Sequence, residues 1–258
     1  MCLILFAWKV HQNFPLIFLA NRDEFYERPT APAAFWEDAP GLLAGRDLRE
    51  GGTWLGVTRR GRLAALTNYR DPATLKDIAP SRGRLVSDFL RGRRAPEAYL
   101  SRLSPRAARY NGFSLLVGNP DELHYFSNRG AQTRLLPGIH GISNHLLDTP
   151  WPKVERGKQA LGDLLQREKA PSPEALLALL ADRSRPPDEA LPVTGVGLEW
   201  ERVLSPLFIA SQAYGTRSST VLLIDHRGHV TFIERVFNGD PESWMTSRFD
   251  FRIIKSEP

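Results

Sequence analysis

Cysteine is nearly absent: Cys2 is the only one in 258 residues. That excludes an intramolecular disulfide and a zinc site built on several cysteines, and it suits a reducing compartment. Long apolar runs are missing too. No stretch approaches the ~20 residues a membrane span requires. The apolar start, Leu3 to Trp8, has no basic flank or small-residue cleavage site of a signal peptide. A cytoplasmic protein with no membrane span is therefore expected. Charge of one sign is not dominant: 34 Lys and Arg stand against 29 Asp and Glu, a net charge of +5. With the arginines scattered along the chain and no nucleic-acid motif present, a mildly basic solvated surface is expected and nucleic acid is not. Internal repeats and low-complexity tracts are also lacking, so residues 1–258 read as one domain.

What is present alternates between β and α signals. Leu3 to Val10 and Leu16 to Ala20 are apolar runs suited to buried strands. A polar cluster, Asn21 to Glu24, is expected at the end of the second strand. Gly52 to Thr58 and Arg62 to Thr67 form a hairpin around Arg59-Arg60-Gly61. Ser81 to Arg91 has its apolar residues at helical spacing, and Pro96 opens a second helix. Strands resume at Phe113 to Val117, Leu123 to Phe126, Thr133 to Leu136 and His140 to Ser143. Helices follow over Lys153 to Arg167 and Glu174 to Leu180. Arg183 to Gly197 reads as a loop. Strands at Leu207 to Ala210, Thr220 to Ile224, His229 to Val236 and Arg248 to Ile254 close the chain, with a tight turn at Asp225 to Gly228. Many sequentially adjacent strands and two helix pairs predict an α+β fold of stacked antiparallel sheets with helices outside.

The position of Cys2 carries the chemistry. Removal of Met1, which a small second residue favours, would leave a thiol and a free α-amine on one residue. The thiol then titrates at about 8.5 and the amine at about 7.7–8.0. An amine that serves as base for its own side chain is a known device for acyl transfer. Such chemistry needs a cation near the thiol, an acceptor for the amine and amide donors for an oxyanion. Arg22, Asp23, Asn68, Asn144 and Arg217 are residues of those types at strand ends and turns. Spacing alone does not show that they converge. A lone cysteine in a buried strand also serves simply as a small hydrophobe.

Several ordered motifs resemble one family. They begin with Met-Cys-Leu-Ile-Leu-Phe and Leu19-Ala20-Asn21-Arg22-Asp23-Glu24-Phe25-Tyr26. They continue through Gly51-Gly52-Thr53-Trp54, Leu66-Thr67-Asn68-Tyr69, Gly141-Ile142-Ser143-Asn144, Thr149-Pro150-Trp151-Pro152-Lys153 and Tyr214-Gly215-Thr216-Arg217. The set is similar to the NRDE family, that of transport and Golgi organisation protein 2, over nearly the whole chain. More distantly it resembles N-terminal-nucleophile hydrolases of the choloylglycine hydrolase and penicillin V acylase kind. That resemblance implies a four-layer αββα sandwich and a cysteine hydrolase or acyltransferase acting on an amide-type bond, with no cofactor. It implies Cys2 as nucleophile, with Arg22, Asp23, Asn68, Asn144 and Arg217 around it, although the Arg and Asp spacing differs. Glu24 has no counterpart and is open as a structural partner of an arginine.

The family also implies roles in haem trafficking and in Golgi and lipid homeostasis. A non-catalytic reading follows, in which the same pocket holds haem or another small hydrophobic or acidic ligand. Trp8 and Trp54 are the candidate ligand-contacting aromatics, Arg22 and Arg217 the candidates to meet haem carboxylates, and Cys2 or a His, best placed His145, the candidate iron ligand. His226 and His229 flank a turn, and His11, His124 and His140 form no ligand pattern.

Overall fold

The computed structural model describes residues 2–254. The first six strands are β1 (Cys2–Trp8), β2 (Leu16–Phe25), β3 (Thr30–Trp36), β4 (Ala39–Asp47), β5 (Leu55–Thr58) and β6 (Leu63–Asn68). Helices α1 (Gly83–Arg91) and α2 (Pro96–Leu103) follow. Next come β7 (Phe113–Gly118), β8 (Leu123–Ser127), β9 (Thr133–Arg134) and β10 (Gly138–Ile142). Helices α3 (Pro152–Arg167), α4 (Pro173–Leu180) and α5 (Leu198–Leu204) precede β11 (Tyr214–Ile224), β12 (His229–Phe237) and β13 (Trp244–Arg252).

Two antiparallel sheets result. One has the order β10-β1-β2-β11-β12-β13, the other β3-β4-β5-β6-β7-β8-β9. Alternation along β1 shows how they stack. Ile4, Phe6 and Trp8 enter a core shared with Leu43, Val57 and Leu116 of the second sheet. Leu3, Leu5 and Ala7 point the other way, into a core with Val154 and Leu161 of α3 and Leu176 and Leu180 of α4. A third cluster seats Leu85 and Phe89 of α1 and Leu100 of α2 on the outer face of the second sheet. The expected four-layer α+β sandwich is thus present, each layer buried on apolar faces of period two or 3.6.

Some elements differ from the sequence reading. Strand β2 does not stop at Ala20. Strand β11 pairs with it from Leu16 to Phe25, so Asn21 to Glu24 lie inside the strand. The polar groups of Asn21 are satisfied there: Nδ2 donates to Leu180 O at 2.9 Å and Leu207 O at 2.8 Å, and Oδ1 accepts from Ser219 Oγ at 2.7 Å. Strand β11 likewise begins at Tyr214, ahead of the expected Thr220, and takes in the Tyr214 to Arg217 motif. The β3-β4 hairpin was not expected, because Pro32, Pro40 and Gly41 interrupt its pattern. Strand β3 is an edge strand, and its register shifts between Ala31 and Ala34, which accommodates Pro32. Leu207 to Ile209 are buried, but Leu207 to Ala210 forms only an isolated bridge, Ala210 to Gly215. Its backbone bonds elsewhere, Ile209 N donating to Thr216 Oγ1 at 2.9 Å. Helix α5 is short and was missed. Among the described residues no helix is long and apolar enough to cross a membrane.

Candidate active site

Register brings the first candidates together. Cys2 sits directly across from Arg22 in the β1-β2 ladder. Arg22 sits across from Ser218 and Asp23 from Thr216, with a bulge at the intervening Arg217. Paired residues share a face, so Cys2 and Arg22 both point between the sheets while Asp23 points towards the helices. The guanidinium of Arg22 lies over the Trp54 ring, 4.2 Å from its centroid, and 3.9 Å from Asp47 Oδ2. Arg28 Nε donates to the same oxygen at 2.7 Å. Burial raises the Asp47 carboxyl, but the bond from Arg28 and the amides of Glu50 and Arg49 outweigh it and hold the group below the usual range.

Cys2 is half-buried. Burial pushes its thiol above the ordinary value, and Arg22 opposes that rise. Asp23 is buried, and its Oδ1 accepts from Thr216 Oγ1 at 2.8 Å. Burial raises this carboxyl too, and the nearby Lys153 ammonium opposes the rise. Cys2, Arg22, Asp23, Trp54 and Asn68 line one cavity of about 230 Å³. That is below the ~300–1,000 Å³ typical of drug-sized ligands.

The remaining candidates lie outside that wall. Asn144 is buried at φ 56°, a left-handed conformation that Asn tolerates. Its Nδ2 donates to Asn68 O at 3.1 Å and its carbonyl accepts from Arg70 N at 2.8 Å. Asn144 therefore fixes the backbone of Asn68. Arg217 Nη1 donates to Phe25 O and Arg28 O, both at 2.9 Å. It staples the β2-β3 turn that carries Arg28. Trp8 is 2% exposed and packs in the core between the sheets, not on the cavity. His145 also lies off the cavity, with Nε2 2.7 Å from the Tyr69 hydroxyl and Nδ1 2.8 Å from Thr149 Oγ1. Met1 lies outside the described residues, and with it the α-amine of the unprocessed chain.

Sequence reasoning missed four contributors. Asp47 and Arg28 complete the charged wall beside Arg22. Arg82, just before α1, lines the same cavity. Lys153, from the first turn of α3, is 4% exposed, and its Nζ donates to Leu204 O at 2.9 Å. Burial pulls its amine down to about 8, with Asp23 opposing. Its place at the end of the Thr149 to Lys153 motif was the one available signal. Among the described residues no group of three or more His, Cys, Asp or Glu could hold a metal ion.

Comparison with known proteins bears on the fold and on the family. Among solved structures, a mutant of conjugated bile acid hydrolase from Clostridium perfringens covers 100% of this chain and 99% of its own. The TM-score is 0.50 at 7% identity, a likeness of fold alone. The Transport and Golgi organization protein 2 homolog of Bos taurus is 41% identical over 98% of this chain and 99% of its own. The human homolog of the same name is 37% identical over the same shares. A family model, Transport and Golgi organisation 2, matches residues 1–239, and the chain belongs to that family.

Proposed function

We propose that the protein is a cysteine N-terminal-nucleophile hydrolase or acyltransferase acting on an amide-type bond. The observation that carries this reading is the cross-strand pairing of Cys2 with Arg22 on the wall of a cavity that Asp23 and Asn68 also line.

With Met1 removed, the α-amine of Cys2 takes the thiol proton as Sγ attacks the substrate carbonyl. Arg22 favours the thiolate that forms. Asn68, on the cavity wall and held from behind by Asn144, is the donor assigned to the oxyanion. The tetrahedral species collapses, the C–N bond breaks, and the leaving amine receives the proton held by the α-amine. A thioester remains on Cys2. Water or another acceptor attacks it, giving its proton to the α-amine, and the acyl group leaves as the thiol is restored. Asp23, oriented by Thr216, anchors the α-amine. The buried Lys153 ammonium opposes the burial that raises that carboxyl.

Two features weigh towards a small polar substrate over haem. The cavity is small and mostly lined by charged or polar groups, and both ring nitrogens of His145 are engaged. Incubation of Met1-free protein with a panel of acyl amides tests the reading. Turnover that vanishes in Cys2→Ala is expected; equal turnover by Cys2→Ala would overturn it. A haem titration with no change in the Soret band would remove the binding alternative, and a shift lost in His145→Ala would restore it.

A further inference from the structure

The edges of the two sheets are not equally protected. In the second sheet, edge strand β3 carries Pro32 and a shifted register, and the opposite edge, β9, has two residues. Such features blunt an edge against pairing with another chain. Strand β13, at an edge of the first sheet, has none of them. It runs nine residues without proline and pairs with β12 in unbroken register from His229↔Arg252 to Phe237↔Trp244. Among the described residues, no other backbone bonds to residues 244–252. The far side of β13 therefore presents a row of open N–H and C=O groups. Its side chains are open as well. Phe249 and Phe251 point between the sheets and meet Phe35 edge-on, with ring centroids 5.9 and 5.7 Å apart, yet both are only half-buried. Trp244, Met245 and Ile254 are 47%, 55% and 59% exposed. Apolar surface gathered on an unblunted edge marks an interface.

Charge selects the partner. Arg248 and Asp250 stand two positions apart on the outer face, with Arg248 Nε 2.7 Å from Asp250 Oδ2. Thr231 Oγ1 donates to Asp250 Oδ1 at 2.8 Å and fixes that carboxylate. Consider a second β13 laid antiparallel about a two-fold axis through Phe249. Each Arg248 then stands opposite Asp250 of the other copy, and each Thr246 opposite Arg252. The four charges alternate in a closed ring. An axis through Arg248 would instead set Arg248 against Arg248. An axis through Asp250 would set Asp250 against Asp250 and Arg248 against Arg252. Both repel. Side chains keep their faces under such an axis, so the half-buried Phe249 and Phe251 of the two copies meet on the inner side. We propose that β13 pairs with β13 of a second copy of this chain, in register about Phe249, joining the two six-stranded sheets into one across a symmetric dimer. A foreign strand would need the same alternation of charge; a second copy always brings it. Cys2 lies on β1, four strands from this edge, so the pairing stands apart from its chemistry.

Light scattering of the full-length chain after size exclusion, over a range of concentrations up to about 100 μM, tests this. A dimer that grows with concentration is expected for the wild type. Arg248→Asp sets carboxylate against carboxylate at two symmetric positions, and Asp250→Arg sets guanidinium against guanidinium. Each should weaken dimerisation about tenfold or more. An equal mixture of these two variants should recover the dimer, because each supplies the charge the other lacks. Arg248→Asp combined with Asp250→Arg restores the alternation within one chain and should dimerise again on its own. Far-UV circular dichroism and the rate of Cys2 alkylation should match the wild type throughout, which separates lost pairing from lost folding. A wild type that stays monomeric at every concentration would overturn the proposal. So would single variants that dimerise as the wild type does, or a mixture and a double variant that both stay monomeric.

Discussion

The Cys2 thiol lies under opposing influences: burial raises it and Arg22 lowers it. The Arg22 charge is itself shared between Trp54 and Asp47. Arg22→Met should therefore move the pH midpoint of Cys2 alkylation upward. Asp47→Asn frees Arg22 from its carboxylate and should move the midpoint the other way. Alkylation rate against pH, followed by intact mass, reads both. None of these neighbours was legible from spacing. Cys2 and Arg22 are 20 positions apart in sequence, and only the β1-β2 register makes them partners. Residue types and the motif resemblance named Arg22, Asp23 and Asn68. They could not reveal Asp47 or Arg82, which arrive from β4 and from the start of α1 with no local pattern to announce them.

At the scale of elements, the segment joining α4 to β11 is tied down by a buried ion pair. Arg70 Nη1 lies 3.1 Å from Glu201 Oε2, with both side chains at most 5% exposed. Glu201 Oε1 also accepts from Thr194 N at 2.9 Å. Removing one partner leaves a buried charge alone, so Glu201→Gln should cost about 3–5 kcal/mol, read from denaturant unfolding. Replacing both members, Arg70→Met with Glu201→Leu, should recover most of that loss. A second element contact sits at the site itself. Gly52→Ala would press a Cβ into the backbone of Gly83 and Arg84. It should cost roughly 1–3 kcal/mol and slow Cys2 protection by ligands through displacement of α1. The sequence pattern succeeded where one face is apolar at a regular period, as in α1 and β7. It failed where tertiary bonding replaced local rules. Examples are Asn21 to Glu24, polar yet inside β2, and Leu207 to Ala210, apolar yet not a strand. Prolines hid the β3-β4 hairpin because an edge strand tolerates them.

Across the whole molecule, the two sheets are joined mainly by apolar packing, with polar links that include the Arg22–Asp47 pair and a buried carboxyl. Glu234 of β12 is 1% exposed, and its Oε1 accepts from Ala33 N of β3 at 2.6 Å. Burial raises its carboxyl to about 7, while that amide and the Arg22 charge pull it down. The folded protein thus holds a proton that the unfolded chain releases near pH 4–5. The resulting destabilisation is absent below that pH, grows through pH 5–7 and is complete above it. Glu234→Gln should melt with the wild type near pH 5. At pH 8 it should melt several degrees higher, since ~3 kcal/mol is relieved. Equal melting at both pH values would contradict this role. The layered fold was legible in the order of strands and helices. The placement of a carboxyl between the sheets was not, since Glu234 occupies an inward position that alternation reserves for apolar residues.

The reactivity of residue 2 in the mature chain decides the rest. Intact-mass analysis of purified protein, before and after incubation with an activated acyl donor, measures it directly. Loss of one methionine residue followed by one acyl adduct, absent in Cys2→Ala, is the expected result. Retention of Met1, or an adduct that persists in Cys2→Ala, would contradict the assignment of Cys2 as an N-terminal nucleophile.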